Sequence, residues 1–288
     1  MPLFNGKVGD AELAIKRIKA KPVLPGFGLT MGFTVLYLGV LVLLPLSMVL
    51  LKSTTLGFSG FIDTISDPRA IAAYKVSFGT AFAAACVNAI FGVLIAWVLT
   101  RYTFPGRKLL DSLVDLPFAL PTAVAGISLT TLYASEGWVG QFFSFKIAYT
   151  PIGIIIALVF IGLPFVIRMV QPVLANIDKE VEEVSTILGA SKWKTFRYVI
   201  FPEIIPALIT GFSLSFARAL GEYGSVVFIS GNMPFKTEIA PLVIMTKLEQ
   251  YDYAGATAIA SVMLLFTFLI LLLINMLQWW SGRKFMNG

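Results

Sequence analysis

The sequence predicts an all-α integral membrane protein, a bundle of six transmembrane helices. Of its 288 residues, 57% are hydrophobic and 13% charged, and the mean hydropathy is +0.85, whereas about a quarter of the residues in a soluble domain are charged. Apolar runs of the length that crosses a bilayer, about 20 residues, occur six times. They lie near residues 29–51, 71–99, 112–134, 150–172, 204–230 and 256–280. Long runs whose backbone must satisfy its own hydrogen bonds in lipid favour helices over a barrel.

The basic residues predict how this bundle is oriented. Lys16, Arg17 and Lys19 precede the first span, in a stretch without the short apolar core and cleavage site of a signal peptide. With the N-terminus inside the cell, most of the 22 Lys and Arg residues flank the cytoplasmic ends of the spans. We therefore expect a basic cytoplasmic tail over residues 1–23, one transmembrane domain over residues 24–288, and both termini in the cytoplasm.

The composition excludes several kinds of chemistry. The chain has no histidine and a single cysteine, so an intrachain disulfide, histidine catalysis and a His/Cys metal site are not expected. It lacks the phosphate-binding loop of nucleotide-binding proteins. Outside the membrane flanks, it also lacks basic clusters with interleaved aromatic residues, which would indicate binding of nucleic acid. We expect no catalytic residue, metal or cofactor in this chain, and we attribute its net charge of +6 to topology and contact with membrane lipid.

The third predicted span contains Pro117 and Pro121, followed by Thr122. A proline has no backbone donor, so the carbonyl four residues earlier loses its usual partner and the helix must kink or unwind. In transporters, broken helices offer polar backbone groups near a solute path without placing a full charge in the bilayer. These three residues are candidates for a pathway or gate; a kink that serves packing alone is the alternative.

Charged residues at the ends of the spans have simpler interpretations. Arg168, in the fourth predicted span, is expected to reach lipid phosphates or to cap the bundle. Asp63, Asp67, Asp111 and Asp115 lie in loops or at span edges, and we expect them to be solvated or to cap helices. None of these carboxylates is expected to be catalytic, because the chain offers no recognisable base or nucleophile to accompany them.

Residues 178–202, between the fourth and fifth spans, are too polar to cross a bilayer and too apolar for an idle linker. Acids dominate the first part and bases the second, an order that complements the dipoles of helices. Val181, Val184 and Leu188 recur at helical spacing, and Gly189 offers a place to turn. We expect two short helices that present an apolar surface to a protein partner. Alternatively, the stripe packs under the bundle or lies in the lipid interface.

The fifth predicted span carries Arg218 and Glu222, four residues apart and therefore on one face of a helix. Each charge costs about 2.5 to 3.5 kcal/mol at the bilayer centre, so a partner or water must compensate. Mutual pairing is the simplest explanation. A gate latch is a functional alternative, as is a guide for an incoming anion in which Glu222 limits the affinity of Arg218. The hydroxyls of Ser225 and Thr122 would add milder donors.

The 178–202 segment resembles the EAA loop of permease subunits in bacterial type I ABC importers. Glu183, Gly189 and Pro202 match the Glu, Gly and Pro of that pattern. The departures are Val184, Ser185, Val199 and Phe201, where the family has Ala, Ala, Ile and Leu. More specific matches are TRYTFPGRKLLDSLVDLPFALPTAVAG at 100–126, PFVIRMVQPVL at 164–174 and ARALGEYGSVVFISGN at 217–232. From about residue 24 to 280 the chain resembles sulfate/thiosulfate permeases of the CysT/CysU type.

This resemblance implies that residues 178–202, hereafter the coupling segment, contain a cytoplasmic coupling helix between helices 4 and 5. The coupling residues would be Glu183, Val184, Leu188, Gly189, Ala190, Trp193 and Pro202. The implied partners are two cytoplasmic ATPase subunits that use ATP and Mg, a second permease that is related rather than identical, and an external sulfate-binding protein. The implied location is the bacterial cytoplasmic (inner) membrane, with residues 24–288 as the importer's transmembrane domain.

Two alternatives to this function remain at the level of sequence. Molybdate or tungstate is the second choice of substrate, because tetrahedral dianions of similar charge require similar donors. A secondary transporter driven by protons or sodium would be favoured by an inverted repeat or by several buried carboxylates. The spans contain one such carboxylate, Glu222, and no repeat is evident.

Overall fold

The computed structural model describes residues 27–286, except for the side chains of residues 27, 179 and 277–286, and it contains no β-strand in that range. The predicted tail of residues 1–23 lies outside the described residues. The chain forms two compact units, Met1–Met48 and Val49–Gly288. The helices are α1 (Phe27–Leu38), α2 (Leu44–Ser53), α3 (Gly57–Ile65), α4 (Pro68–Arg101), α5 (Arg107–Val114), α6 (Leu116–Ala119), α7 (Thr122–Tyr133), α8 (Pro151–Asn176), α9 (Lys179–Ile187), α10 (Lys192–Thr195), α11 (Phe201–Leu220), α12 (Val226–Ile229), α13 (Ala240–Glu249) and α14 (Tyr253–Met286).

Five helical runs within the described residues are long and apolar enough to cross a membrane. They are Gly28–Ile65, Pro68–Arg101, Pro151–Asn176, Lys192–Leu220 and Tyr253–Met276. These runs coincide with the first, second, fourth, fifth and sixth predicted spans, so the all-α membrane class is confirmed. The third predicted span consists instead of α5, α6 and the short apolar helix α7.

One boundary of the sequence prediction is wrong. The fifth span was expected to continue to residue 230, but α11 ends at Leu220 and a turn over residues 221–225 separates it from α12. Gly221 follows the last helical residue, and the backbone N–H of Ser225 donates to the Glu222 carboxylate, 2.9 Å away. Two glycines and a carboxylate that binds the main chain favour a turn over a continued helix. Helices α3 and α13 were also missed.

The larger unit is held together by close packing of α4, α8 and α11. A Cβ atom added to Gly211 of α11 would lie 2.8 Å from the Cα atom of Val166 on α8. One added to Gly92 of α4 would lie 2.6 Å from a methyl group of the same valine. Small residues at these crossings let helix backbones approach, and the resulting dispersion contacts drive helix association in lipid, where the hydrophobic effect between helices is absent.

A buried amide links the same three helices. Asn88 of α4 lies 3.0 Å from the hydroxyl of Ser215 on α11, and both residues are fully buried. With its amide turned to satisfy both ends, Asn88 donates to the Val159 carbonyl and accepts from the Leu163 N–H on α8. Gly162 of α8 provides the space, because a Cβ atom there would overlap both polar side chains. Interhelical hydrogen bonds of this kind fix the register of membrane helices.

The start of α4 is also fixed by charged groups. The Asp67 carboxylate accepts from the backbone N–H groups of Arg69, at 2.7 Å, and Ala70, at 3.4 Å, so the expected capping role of Asp67 is confirmed. Arg69 donates two hydrogen bonds, of 2.7 and 2.6 Å, to the buried carboxylate of Glu238. This bidentate pair ties the start of α4 to the loop before α13.

Candidate functional site: the coupling segment and the helix breaks

The coupling segment bends at Gly189, as the sequence predicts. Helix α9 ends at Ile187, and Gly189 adopts the left-handed conformation with φ of +81°. The N–H of Gly189 donates to the Thr186 carbonyl at 3.0 Å, and the N–H of Ala190 donates to the Ser185 carbonyl at 2.9 Å. These two bonds form a Schellman motif, which satisfies carbonyls at a helix end and usually requires glycine at this position.

The second half of the segment begins at Ser191, whose side chain caps α10 by accepting from the N–H of Lys194. The two expected helices are therefore present. The second, however, continues through a π-helical turn, Phe196–Ile200, directly into α11. Pro202 directly follows the π-helical turn, and its missing N–H leaves a carbonyl of that turn without its usual helical partner. Because α11 continues the coupling segment, a displacement of the segment acts directly on a membrane helix.

The bend exposes a compact set of large apolar side chains. Ile187 is 83% exposed, Leu188 80% and Trp193 68%. Val184 and Glu183 are exposed on α9, whereas Ala190 and Pro202 are half-buried. The alternative in which the whole stripe packs under the bundle is therefore wrong for its central residues. Ile187 was missing from the predicted coupling residues, although it directly precedes Leu188 at the end of the helix.

The underside of the segment is held by the end of α4. Arg101, the last residue of α4, lies 2.8 Å from the Glu182 carboxylate of α9 and donates to the carbonyl of Ile177. Trp97, one turn earlier, packs edge-on against Phe196 at 5.6 Å between ring centroids. This contact was not predicted, because an arginine at a helix end is already explained by the expected membrane topology.

The predicted break in the third span is present. Helix α6 ends at Ala119, Leu120 and Pro121 are extended, and α7 begins at Thr122. The other break is the turn over residues 221–225, between α11 and α12. Two interrupted helices thus lie in the parts of the chain that the sequence selected for a pathway or gate.

These two breaks pack directly against each other, and we call residues 121–126 and 221–225 the helix-break site. A Cβ atom on Gly224 would overlap the hydroxyl oxygen of Thr122. A Cβ atom on Gly126 would lie 2.5 Å from the backbone oxygen of Ser225. The structure therefore brings Thr122 and Ser225 together, as members of one contact between α7 and the turn after α11.

The ion pair of Arg218 and Glu222 belongs to the same site. Its nitrogen and oxygen atoms are 2.8 Å apart, with 36% of the arginine and 2% of the glutamate side chain exposed. The other oxygen of Glu222 accepts from both the N–H and the hydroxyl of Ser225. The pairing expected from the spacing is present, although Glu222 lies in a turn and not on a helix face. Pro117 lies in the preceding helix, α6.

Arg168 binds protein, and the expectation that it reaches lipid phosphates is wrong. It donates two hydrogen bonds to Asp115, at 2.9 and 2.6 Å, and others to the carboxylate and carbonyl of Asp111 and to Gln171. The Asp111 carboxylate also accepts from the Gln171 amide at 3.1 Å. This cluster fixes α5 and the start of α6, the segment before the first break, against α8.

A helical membrane bundle with interrupted helices and an exposed apolar bend between two spans defines the membrane component of a transporter. The chain belongs to the family described as "Binding-protein-dependent transport system inner membrane component", whose model matches residues 88–287. The resemblance drawn from the motifs is thereby confirmed. The expectation of a transport subunit instead of an enzyme is confirmed by the same family.

Curated relatives are similar over nearly their whole length. The "Sulfate transport system permease protein CysT" of Escherichia coli (strain K12) is 46% identical over 270 residues, 93% of this chain and 98% of the relative. That of Synechococcus elongatus is 53% identical over 254 residues, 87% and 91% of the two chains. The "Probable sulfate transport system permease protein cysT" of Chlorella vulgaris is 55% identical over 216 residues, 74% and 81% of the two chains.

Solved structures share the fold at low sequence identity. A bacterial ABC transporter involved in import of the acidic polysaccharide alginate superposes with a TM-score of 0.72 and 17% identity, covering 88% of this chain and 95% of that one. The MetNI methionine ABC transporter in inward-facing conformations superposes with a TM-score of 0.54 and 18% identity, covering 74% and 94% of the two chains. At these identities, the similarity shows the fold alone.

Proposed function

We propose that this chain is the permease subunit of an ATP-driven importer that moves sulfate or thiosulfate into the cytoplasm. The observation that carries the proposal is the bent, exposed apolar surface of the coupling segment, built on a membrane helix. Large apolar side chains kept at a polar bend need a protein surface to cover them. The names of the relatives, which are 46 to 55% identical, support sulfate as the substrate.

The family to which the chain belongs, the exposed surface and the missing phosphate loop together support a set of partners. Two cytoplasmic ATPase subunits would use ATP and Mg, and one would cover Ile187, Leu188 and Trp193. A second, related permease would complete the pathway, and an external sulfate-binding protein would deliver the substrate. The coupling segment and both termini would lie in the cytoplasm of a bacterial cell, with the spans in its inner membrane.

Helix α11 connects the coupling segment to the helix-break site, which supports a mechanical link between ATP hydrolysis and the gate. Helix α11 begins where the coupling segment ends and reaches the helix-break site at Leu220. Twenty residues at 1.5 Å each give it a length of about 30 Å. Since packed helices move as bodies, ATPase closure at one end would displace the contact between the two breaks at the other.

The helix-break site suits a gate better than a tight anion site. The Glu222 carboxylate neutralises Arg218, and a permease must release its substrate. Glu222 already accepts from both the N–H and the hydroxyl of Ser225, and the hydroxyl of Thr122 would bind a dianion more weakly than an array of free cations would. We therefore assign substrate selectivity mainly to the external binding protein, and gating to the contact between the breaks.

Substitution of Gly189 tests the proposed function. Nothing lies within 4 Å of a Cβ atom built at this glycine, so a substitution strains the backbone without a steric clash. Valine in the left-handed region costs roughly 1 to 2 kcal/mol or more, whereas asparagine adopts it more readily. In the complete transporter, we expect Gly189→Val to lose most ATPase association or sulfate-stimulated ATP hydrolysis, and Gly189→Asn to retain most of both.

The measurements are co-purification of the ATPase subunits and uptake of radiolabelled sulfate into proteoliposomes, with membrane insertion checked for each variant. Unchanged association, uptake and hydrolysis in an inserted Gly189→Val protein would contradict the coupling role. The same proteoliposomes, supplied with binding protein, distinguish substrates. Stimulation of ATP hydrolysis by molybdate but not by sulfate or thiosulfate would overturn the substrate assignment.

A further inference from the structure

The end of α4 contacts both halves of the coupling segment. Arg101 meets the first half through Glu182, and it also donates to the carbonyl of Ile177, directly before the segment. Trp97 meets the second half through Phe196, which in turn stacks on Trp193 with ring centroids 5.7 Å apart. The segment therefore has a third connection to the bundle, besides its covalent continuity with α8 and α11.

Arg101 is well suited to hold this connection rigidly. Only 9% of its side chain is exposed, against 33% for Glu182. The Ile177 carbonyl, which follows the last turn of α8, accepts from two guanidinium nitrogens at 3.2 Å each. The guanidinium carbon also lies 5.8 Å from the centre of the Trp97 ring. One planar cation thus joins three helices: α4, the end of α8 and α9.

We propose that Arg101 is a positioning residue that ties α4 to the coupling segment, so that a movement of the segment is passed to α4 as well as to α11. This inference rests on the proposed function, because it requires an ATPase to move the segment. Arg101 would touch neither the ATPase nor the substrate. Its effect would be on how many sulfate ions cross for each ATP hydrolysed.

Two neighbouring acids of α9 differ in their surroundings. Glu182 pairs with Arg101 of α4, whereas the side chain of Glu183 is exposed. Ser185 lies 2.8 Å from the Thr195 hydroxyl across the bend, so both halves of the segment move together. The bend is thus internally braced, and a force applied to its exposed surface would reach Arg101 without first deforming the segment.

The test compares charge-neutralising variants of the complete transporter, purified through a tag on this chain and reconstituted in proteoliposomes. We expect Arg101→Gln and Glu182→Gln each to lower the sulfate transported per ATP by about fivefold, the equivalent of roughly 1 kcal/mol. Because they break the same pair, the double variant should be no worse than either single one.

Association of the ATPase should be unchanged in all three. Lys108→Gln, at an exposed lysine in the first turn of α5, is the matched control.

A second readout separates positioning from a general loss of stability. Spin labels at two exposed sites, Thr103 and Thr186, in a Cys86→Ala background report the distance between the end of α4 and α9. We expect a broader distance distribution in Arg101→Gln, and partial recovery of the narrow one in Arg101→Lys. If Arg101→Gln fails to insert into the membrane, Glu182→Gln tests the positioning role instead, because Glu182 is the more exposed partner of the pair.

The outcomes distinguish this inference from the proposed function. If the wild-type complex takes up sulfate but Arg101→Gln and Glu182→Gln both keep the wild-type ratio and distance distribution, the positioning role is overturned and the importer assignment survives. If the wild-type complex takes up no sulfate, or if Gly189→Val has no effect, the proposed function fails first. A loss of ATPase association in Glu182→Gln would place that residue in the partner interface and also overturn the inference.

Discussion

The two partners of the Arg218–Glu222 ion pair differ in how deeply their side chains are buried. Glu222 is 2% exposed, so its carboxylate has no access to bulk water, whereas Arg218 is 36% exposed. A buried ion left without its partner destabilises a protein more than an accessible one, because it stays desolvated without compensation. The two partners of this pair should therefore respond unequally when each is replaced in turn.

We predict that Arg218→Gln destabilises the protein more than Glu222→Gln. The first leaves a buried carboxylate held by Ser225 alone, at a cost of about 3 kcal/mol at most. The second keeps an oxygen that accepts from Ser225 and leaves an arginine that is partly exposed, at a cost of about 1 kcal/mol. Apparent melting temperatures of the purified variants, in one detergent, check the order.

The double variant provides the control for this prediction. With both charges removed, the penalty of an unpaired buried ion disappears, so Arg218→Gln/Glu222→Gln should melt above Arg218→Gln alone. A double variant as unstable as the sum of the single ones would mean that the pair does not interact in the folded protein. Equal melting temperatures for the two single variants would contradict the role assigned to burial.

At this scale, the sequence predicts residues whose role is local and misses those whose role depends on the fold. Gly189 was identifiable because a left-handed helix end needs a glycine, whatever surrounds it. The ion pairs of Arg101 and Arg168 join residues 53 to 81 positions apart in sequence, and a charge near a span end is already explained by topology. Only the packing of α4, α5 and α8 shows which carboxylates they meet.

Among the helices, the crossings of α4, α8 and α11 depend on glycines that leave room for a neighbouring backbone. We predict that Gly211→Ala destabilises the bundle by about 1 to 3 kcal/mol, since the added methyl group meets the Cα atom of Val166. Gly79→Ala is the matched control within α4, because nothing lies within 4 Å of a Cβ atom there. Melting temperatures in detergent provide the comparison, and an equal response of the two variants would contradict this account of the packing.

The extent of the helices was predictable where hydropathy alone decides it, and less so where polar groups interrupt an apolar run. Helices α4, α8 and α14 match their predicted spans within a few residues at their start. The end of α11 was missed because residues 221–230 are still mostly apolar, and the turn is made by the side chain of Glu222 binding back to Ser225. Such local bonds leave no trace in a hydropathy profile.

For the molecule as a whole, the proposed function requires that the coupling segment and the end of α4 lie on the cytoplasmic side. The contacts of Arg101 already place these two elements together. A helical span of the length of α4 then places the segment Asp67–Arg69 on the far side of the hydrocarbon. The larger unit therefore has two possible orientations in the membrane. Labelling at one site on each side distinguishes them.

We predict that a cysteine at Thr186 is labelled by a membrane-impermeant maleimide only in inside-out vesicles, and one at Trp138 only in right-side-out cells. Both positions are exposed, so access is set by the side of the membrane and not by burial. The background variant is Cys86→Ala, which removes the only native thiol. The positive-inside distribution of charge supports this orientation. Labelling of Thr186→Cys from outside intact cells would place the coupling segment away from any cytoplasmic ATPase, and no arrangement of the remaining contacts would then let ATP hydrolysis reach α4 or α11.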